Sequence, residues 1–135
     1  MVGVYFSGTG NSKYILETFC AEYENGTKTF SIEDAEVVEA IKSDDVIAFA
    51  YPVQYSTVPK IVRDFVSDHK DLWKRKKVYV IATMGLFSGD GAGMLGRQLK
   101  KNGAIVIGGL HVKMPDSIGD VSLLKYPPEK NTGNV

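Results

Sequence analysis

Val2-Gly3-Val4-Tyr5-Phe6-Ser7-Gly8-Thr9-Gly10-Asn11-Ser12-Lys13 decides how the rest of the chain is read. Val2–Phe6 is a short apolar run and predicts a buried strand. Lys13–Tyr23 places Ile15, Leu16, Phe19, Cys20 and Tyr23 at helical spacing. Between them lies Ser7–Ser12, rich in glycine and hydroxyls. Glycines let the backbone turn tightly and come close to a ligand. The start of a helix then aims unpaired N–H groups and a positive dipole end at a bound anion. Ser7, Thr9 and Ser12 add hydroxyl donors, and Asn11 adds an amide. A Walker A loop is longer and ends in Lys-Ser/Thr, whereas Ser12-Lys13 reverses that order. A dinucleotide fingerprint needs a third glycine where this chain has Lys13. A hydroxyl-rich loop of this kind suits a terminal phosphate monoester held by neutral donors. A tight strand-to-helix turn with no ligand is the alternative reading.

Outward from this unit, strand and helix signals alternate. Thr27–Ile32 reads as an edge strand, Asp34–Lys42 as a short amphipathic helix and Val46–Tyr51 as a second buried strand. Pro59 opens a helix whose inner face is Ile61, Val62, Phe65 and Val66, because proline is tolerated where the N–H is unpaired anyway. Val78–Thr83 is a third buried strand. A glycine-rich loop, Gly85–Gly93, leads into a helix ending at Asn102-Gly103, where glycine supplies the left-handed cap. Ala104–Val112 is the last strand. The alternation predicts an α/β fold, a doubly wound parallel sheet of five strands with right-handed crossovers.

The 135 residues fit one domain. Sixteen basic and sixteen acidic residues cancel, which gives no electrostatic case for nucleic acid or an anionic membrane. No apolar stretch approaches the roughly 20 residues of a membrane span. The first strand begins at once, so no signal peptide is visible. Cys20 is the only cysteine, so no internal disulfide forms, and the expected setting is the cytoplasm. Cys20 reads as a small buried hydrophobe, and Trp73 as a residue packing behind the third helix. His69 and His111 lack the Cys/His spacing of a metal centre, so no metal ligands are assigned. No proton-transfer pair or nucleophilic triad stands out, and no catalytic residue is assigned. Lys74-Arg75-Lys76-Lys77 reads as a solvated turn.

In a parallel α/β sheet, ligands bind beyond the carboxyl ends of the strands, where the strand order reverses. Three loops meet that description: Ser7–Ser12, then Pro52-Val53-Gln54-Tyr55-Ser56-Thr57, then Met84–Gly91. The first suits phosphate. The second offers Tyr55 and polar side chains, and the third Phe87 with free backbone. Together they suit a flat heteroaromatic on a phosphorylated tail.

With these loops on the page, the chain resembles a flavodoxin-like domain. Tyr5–Ser12 is similar to the flavodoxin phosphate loop. Phe6–Lys13, Tyr51-Pro52-Val53, Ala82-Thr83-Met84-Gly85, Ser88-Gly89-Asp90-Gly91 and Met114-Pro115-Asp116 carry a closer resemblance. That branch is a bacterial and archaeal family in which a flavodoxin domain is fused to a ferredoxin with 4Fe-4S clusters. The resemblance implies strand order 2-1-3-4-5 and FMN as cofactor. Ser7, Thr9, Asn11 and Ser12, with the N–H groups of Gly8–Ser12 including Gly10, would hold the phosphate. Pro52, Val53, Gln54, Tyr55 and Ser56, with Thr83, Met84, Gly85, Phe87, Ser88 and Gly89, would flank the ring. It implies an electron-transfer domain serving a redox partner or a tethered 4Fe-4S ferredoxin module. The alternative is an FMN-dependent NAD(P)H oxidoreductase acting on a quinone or similar acceptor. Two departures stand out. Pro52–Pro59 lacks the glycine usual in the second loop, and the neutral net charge contrasts with strongly acidic free flavodoxins.

The C-terminal segment carries a further expectation. The flavodoxin-like domain is assigned to 1–116, and 117–135 reads as an irregular tail of a truncated chain, because Tyr126-Pro127-Pro128 halts any helix. A fifth helix would then be missing, one sheet face would lie bare, and a homodimer through that face is the arrangement this implies.

Overall fold

Strands buried on both faces read as continuous apolar runs, and this chain's central strands do so because helices cover both sides of the sheet. The computed structural model describes residues 1–7, 10–53, 58–84, 91–113 and 122–125. In chain order the elements are β1 (Val2–Tyr5), α1 (Asn11–Tyr23), β2 (Lys28–Ser31), α2 (Val37–Lys42), β3 (Val46–Pro52) and α3 (Lys60–Asp68). A 3-10 turn (Lys70–Trp73) then precedes β4 (Lys77–Met84), α4 (Gly91–Lys101), β5 (Ile105–Lys113) and β6 (Ser122–Lys125). The sheet order is β2-β1-β3-β4-β5-β6. The first five strands are parallel, in the expected order 2-1-3-4-5.

β6 departs from the sequence reading. Within 117–135, expected to be irregular, Ser122–Lys125 pairs antiparallel with β5, Leu110 opposite Lys125 and Lys113 opposite Ser122. Four residues hold too few alternations to announce a strand; the open edge of β5 supplies the hydrogen-bonding template instead. On the sheet face expected to lie bare, the described residues of β4 and β5 include buried ones. Ile81, Leu110 and Val112 lie on the α1 side and are buried. Among the described residues the exposed large apolar side chains are Tyr14, Tyr23, Ile61 and Ile105, and such scattered exposure is ordinary.

The two sheet faces are packed differently. Toward α2, α3 and α4 point Val4, Ile47, Phe49, Tyr51, Val78 and Val80, all fully buried. There Phe49 lies 5.8 Å from Trp73 and 6.2 Å from Phe65, centroid to centroid, and Trp73 is fully buried as expected. Toward α1 point the small residues Ala48 and Ala50, and the face accepts Leu16 and Cys20 directly. Gly3 shares this face: a Cβ there would lie 2.9 Å from Thr29 Cγ2 and 3.1 Å from Leu16 Cδ2. Small residues under α1 therefore bring the helix close to the strands whose ends it must reach.

Local chemistry sets the boundaries. α2 starts at Val37 and not at Asp34. The Asp34 carboxylate accepts from Ser31 N at 2.9 Å, and Ser31 Oγ accepts from Glu33 N at 3.0 Å. These side chains form a turn in competition with the helix. α3 follows Pro59, whose carbonyl accepts from Val62 N at 3.0 Å and Arg63 N at 3.1 Å. α4 ends as expected at Gly103, with φ 93°. Ala104 N donates to Leu99 O and Gly103 N to Lys100 O, each at 3.0 Å, the paired pattern of a glycine C-cap. The tetrad after the 3-10 turn is tighter than a solvated turn needs to be. Arg75 takes φ 65°, the left-handed region, and its N donates to Gly103 O at 2.9 Å.

Candidate functional site

β1 lies between β2 and β3, so the chain's winding direction reverses beside it and the helices on either side of the reversal diverge. The ends of β1, β3 and β4 are held level. Tyr5 is in register with Ala50, and Pro52 with Thr83. Phe6 N donates to Ala50 O at 3.0 Å, and Val53 N to Thr83 O at 2.8 Å. The three loops named from the sequence therefore start from one rim of the sheet.

The first loop is built around Gly10 and Ser7. Gly10 has φ 93°, which admits glycine at little cost. Ser7 Oγ accepts from Gly10 N at 2.9 Å and lies 3.5 Å from Lys13 N, so the hydroxyl oxygen folds the loop onto the helix start. Its O–H proton stays free to donate outward. Gly10 precedes α1 and brings no side chain to cap it, within the helix Ser7 Oγ reaches only Lys13 N, and no acidic residue stands in the first turn. The N–H groups of Asn11 and Ser12 belong to the first turn, whose donors have no partner within the helix, and the positive end of the helix stands with them, an arrangement suited to an anion. Lys13 is not directed at it: its ammonium lies over the Tyr5 ring, 5.8 Å from the centroid.

Ser12 behaves differently from its neighbours. Its Oγ lies 2.9 Å from Thr83 Oγ1, and both residues are buried, 1% and 4% exposed. They are the buried polar residues among the described ones. Sequence reading named Ser12 as a phosphate donor and Thr83 as a ring neighbour. In the structure the two side chains meet each other, and when Thr83 is the donor Ser12 keeps its own O–H, beside its backbone N–H, to offer elsewhere. No local signal announces a contact between residues so far apart in the chain. Pro52 and Val53 stand at the rim as expected, and Met84 ends β4 beside Thr83. Gly8, Thr9, Gln54, Tyr55, Ser56, Gly85, Phe87, Ser88 and Gly89 lie outside the described residues.

Other candidates are structural. His69 Nδ1 lies 2.9 Å from Phe65 O, beside the end of α3. Cys20 is buried, and burial pushes its thiol up to about 11. A surface cleft of about 560 Å³, lined by Val38, Lys42, His69, Lys70, Leu72 and Lys76, lies by the amino ends of the strands, away from the loops. Among the described residues, no group of His, Cys, Asp and Glu is arranged to hold a metal ion. No helix there is long and apolar enough to cross a membrane.

Comparison with known proteins agrees with this geometry. Residues 3–114 match the model of a family described as Flavodoxin domain. No curated protein sequence matches significantly. Among solved structures, the chain is similar to two-electron reduced flavodoxin of Megasphaera elsdenii in solution, with TM-score 0.69, 26% identity and 85% of each chain covered. It is similar in fold to the Trp repressor binding protein of Bacillus subtilis, with TM-score 0.72, 18% identity, and 90% and 88% of the two chains covered. It is also similar in fold to Fusobacterium nucleatum flavodoxin bound to flavin mononucleotide, with TM-score 0.62, 15% identity, and 79% and 69% covered.

Proposed function

Because the chain belongs to the flavodoxin domain family, we propose that it is an FMN-binding electron-transfer domain whose phosphate site is the loop Ser7–Ser12. One observation carries the reading: a helix start behind a glycine, free of acidic side chains, stands at the strand-order reversal beside two further loops. Bound FMN supplies a ring that takes up and releases electrons; the protein supplies binding, orientation and a tuned environment. The backbone N–H groups of Asn11 and Ser12, the side chains of Thr9, Asn11 and Ser12, and the free proton of Ser7 would hold the phosphate. All are neutral donors, so the helix end and hydrogen bonds do the work that lysine or arginine does elsewhere. Pro52–Ser56 and Thr83–Gly89 would flank the ring, with Tyr55 and Phe87 as its aromatic neighbours.

The neutral net charge supports a partner reached at short range, such as a tethered 4Fe-4S ferredoxin module, because tethering replaces long-range steering with effective concentration. With Cys20 as the only cysteine, and buried, the proposal places the protein in a reducing cytoplasm. The test is titration of the apoprotein with FMN and with riboflavin, followed by mixing the reduced protein with a ferredoxin. FMN binds much more tightly than riboflavin, and electrons pass to the cluster. Removing one donor to a charged oxygen, as in Thr9→Ala or Asn11→Ala, weakens FMN about 10- to 100-fold. Equal affinity for the two flavins, or wild-type FMN affinity in both variants, would refute the phosphate assignment. Rapid turnover of NAD(P)H with a quinone would instead establish the oxidoreductase alternative.

A further inference from the structure

The buried pair Ser12–Thr83 has a role that neither residue's place in a binding loop accounts for. Thr83 touches all three loops at their roots. Its hydroxyl meets Ser12, at the start of α1, at 2.9 Å. Its carbonyl accepts from Val53 N, at the start of the second loop, at 2.8 Å. Its own chain continues into the third loop. It is also paired within the sheet to Pro52 on one side and Val112 on the other, so the residue itself is held firmly.

A buried hydroxyl without a partner is costly, so this bond fixes where the first turn of α1 sits relative to β4. The protons add a second consequence. Two hydroxyls joined by one hydrogen bond hold two protons, and the bond uses one of them. When Thr83 donates to Ser12, the Ser12 O–H is the one released to point elsewhere. When Ser12 donates, its lone pairs face the helix start and the Thr83 proton is the free one. An anion at the amino end of α1 favours the first arrangement, because it turns a donor toward negative charge.

We propose that Thr83 is a positioning residue, which sets the phosphate loop against the two ring loops and turns the Ser12 hydroxyl toward the phosphate. Through Ser12 it fixes the preference for a phosphorylated flavin over riboflavin. The inference rests on the flavin reading above. It assigns Thr83 to phosphate discrimination, although Thr83 belongs to a loop otherwise assigned to the ring.

The experiment measures FMN and riboflavin dissociation constants by flavin fluorescence for wild type, Thr83→Val, Thr83→Ser, Ser12→Ala and the double variant Ser12→Ala/Thr83→Val. Valine keeps the shape of threonine and removes the hydroxyl. The ratio of FMN to riboflavin affinity falls about 10-fold in Thr83→Val, by about the same factor in Ser12→Ala, and no further in the double variant. Thr83→Ser, which retains the hydroxyl, keeps the wild-type ratio. A residue that only stabilises the fold would weaken both flavins alike and leave the ratio unchanged. Amide hydrogen exchange on the apoprotein gives a readout independent of flavin: Ser12 and Val53 exchange faster in Thr83→Val, and at the wild-type rate in Thr83→Ser. If Thr83→Val does not fold, Thr83→Ser and Ser12→Ala still decide between the outcomes, because one must keep the ratio and the other lose it. An unchanged ratio in Ser12→Ala or Thr83→Val, or additive losses in the double variant, overturns the inference while leaving the FMN reading intact. A wild-type protein that does not discriminate between the flavins overturns both.

Discussion

Adding one methyl group at Gly3 tests how closely α1 must approach the sheet. The new Cβ in Gly3→Ala would stand 2.9 Å from Thr29 Cγ2, 3.1 Å from Leu16 Cδ2 and 3.2 Å from Cys20 Sγ. Nonbonded carbons rest at about 3.5–4.0 Å, so roughly half an ångström must be found on three sides. Leu16 is fully buried and Cys20 is 2% exposed, so neither side chain has solvent to move into. Thr29 lies on the edge strand β2 and is half-buried, so it yields first. Overpacking of this kind costs about 1–3 kcal/mol. Restricting the unfolded chain returns about 0.4–1 kcal/mol. The net expectation for Gly3→Ala is a loss of about 1 kcal/mol, read by urea denaturation as a lower midpoint with an unchanged slope. Thr29→Ser removes Cγ2, the nearest obstacle, and in combination restores about half of that loss, a coupling that a double-mutant cycle isolates. Gly3→Ala at or above wild-type stability, with the same slope, would show that α1 does not depend on this close approach.

Three further expectations follow from features outside the loops. Arg75→Gly stabilises the fold by up to about 1 kcal/mol in the same denaturation assay, because a side chain at φ 65° carries left-handed strain that glycine lacks; a loss of stability would mean that the arginine side chain makes up for the strain. Cys20, buried and with its thiol pushed up to about 11, resists a disulfide reagent at pH 8 in the native protein and reacts once in denaturant; rapid native labelling would contradict the packing of α1. In a chain beginning at Met1, the terminal ammonium lies 3.2 Å from both Glu24 and Asp44. Burial lowers its pKa, but the two carboxylates outweigh this and hold it above 8.0. Burial likewise raises Asp44, while the bonds from Val46 N and the ammonium hold it below 3.8. The ammonium contribution is complete below pH 8 and lost as pH rises through its raised value. The Asp44 contribution is complete above pH 3.8 and lost as pH falls through its lowered value. Stability is therefore level between these limits and falls on either side by about half a kcal/mol, since the pairs are partly solvated. Acetylating the terminus removes the alkaline fall.

The fold was legible wherever one physical constraint dominated a segment. Burial on two faces made β1, β3 and β4 continuous apolar runs, and a glycine at φ 93° closed α4 where the sequence placed it. Legibility failed where two constraints competed. Asp34 looks like the first residue of a helix, yet its carboxylate turns back to Ser31 and delays α2 to Val37. Arg75 occupies a backbone region where glycine or asparagine is expected. β6 exists because β5 offers an edge, which no pattern within Ser122–Lys125 encodes. The site divides in the same way. Hydroxyls and glycines raised the expectation of an anion site in the first loop, because that chemistry is local. They did not reveal that Ser12 Oγ meets Thr83 Oγ1, because side-chain contact there depends on how α1 lies against β4.

The place of β1 in the sheet has a consequence for how the molecule comes into being. A ribosome releases Val2–Tyr5 before the other strands of this sheet, yet this strand is flanked on both sides: Val2 must find Lys28 on one flank and Ile47 on the other. The sheet cannot grow outward from its first-made strand with each new segment stacking on the last. Until β3 has emerged, β1 has an open edge with nothing to pair to, and that edge is the most vulnerable part of the nascent chain. The same reversal of order that separates the helices beside β1 therefore delays assembly. Both edges of β1 are closed only once β3 has joined it.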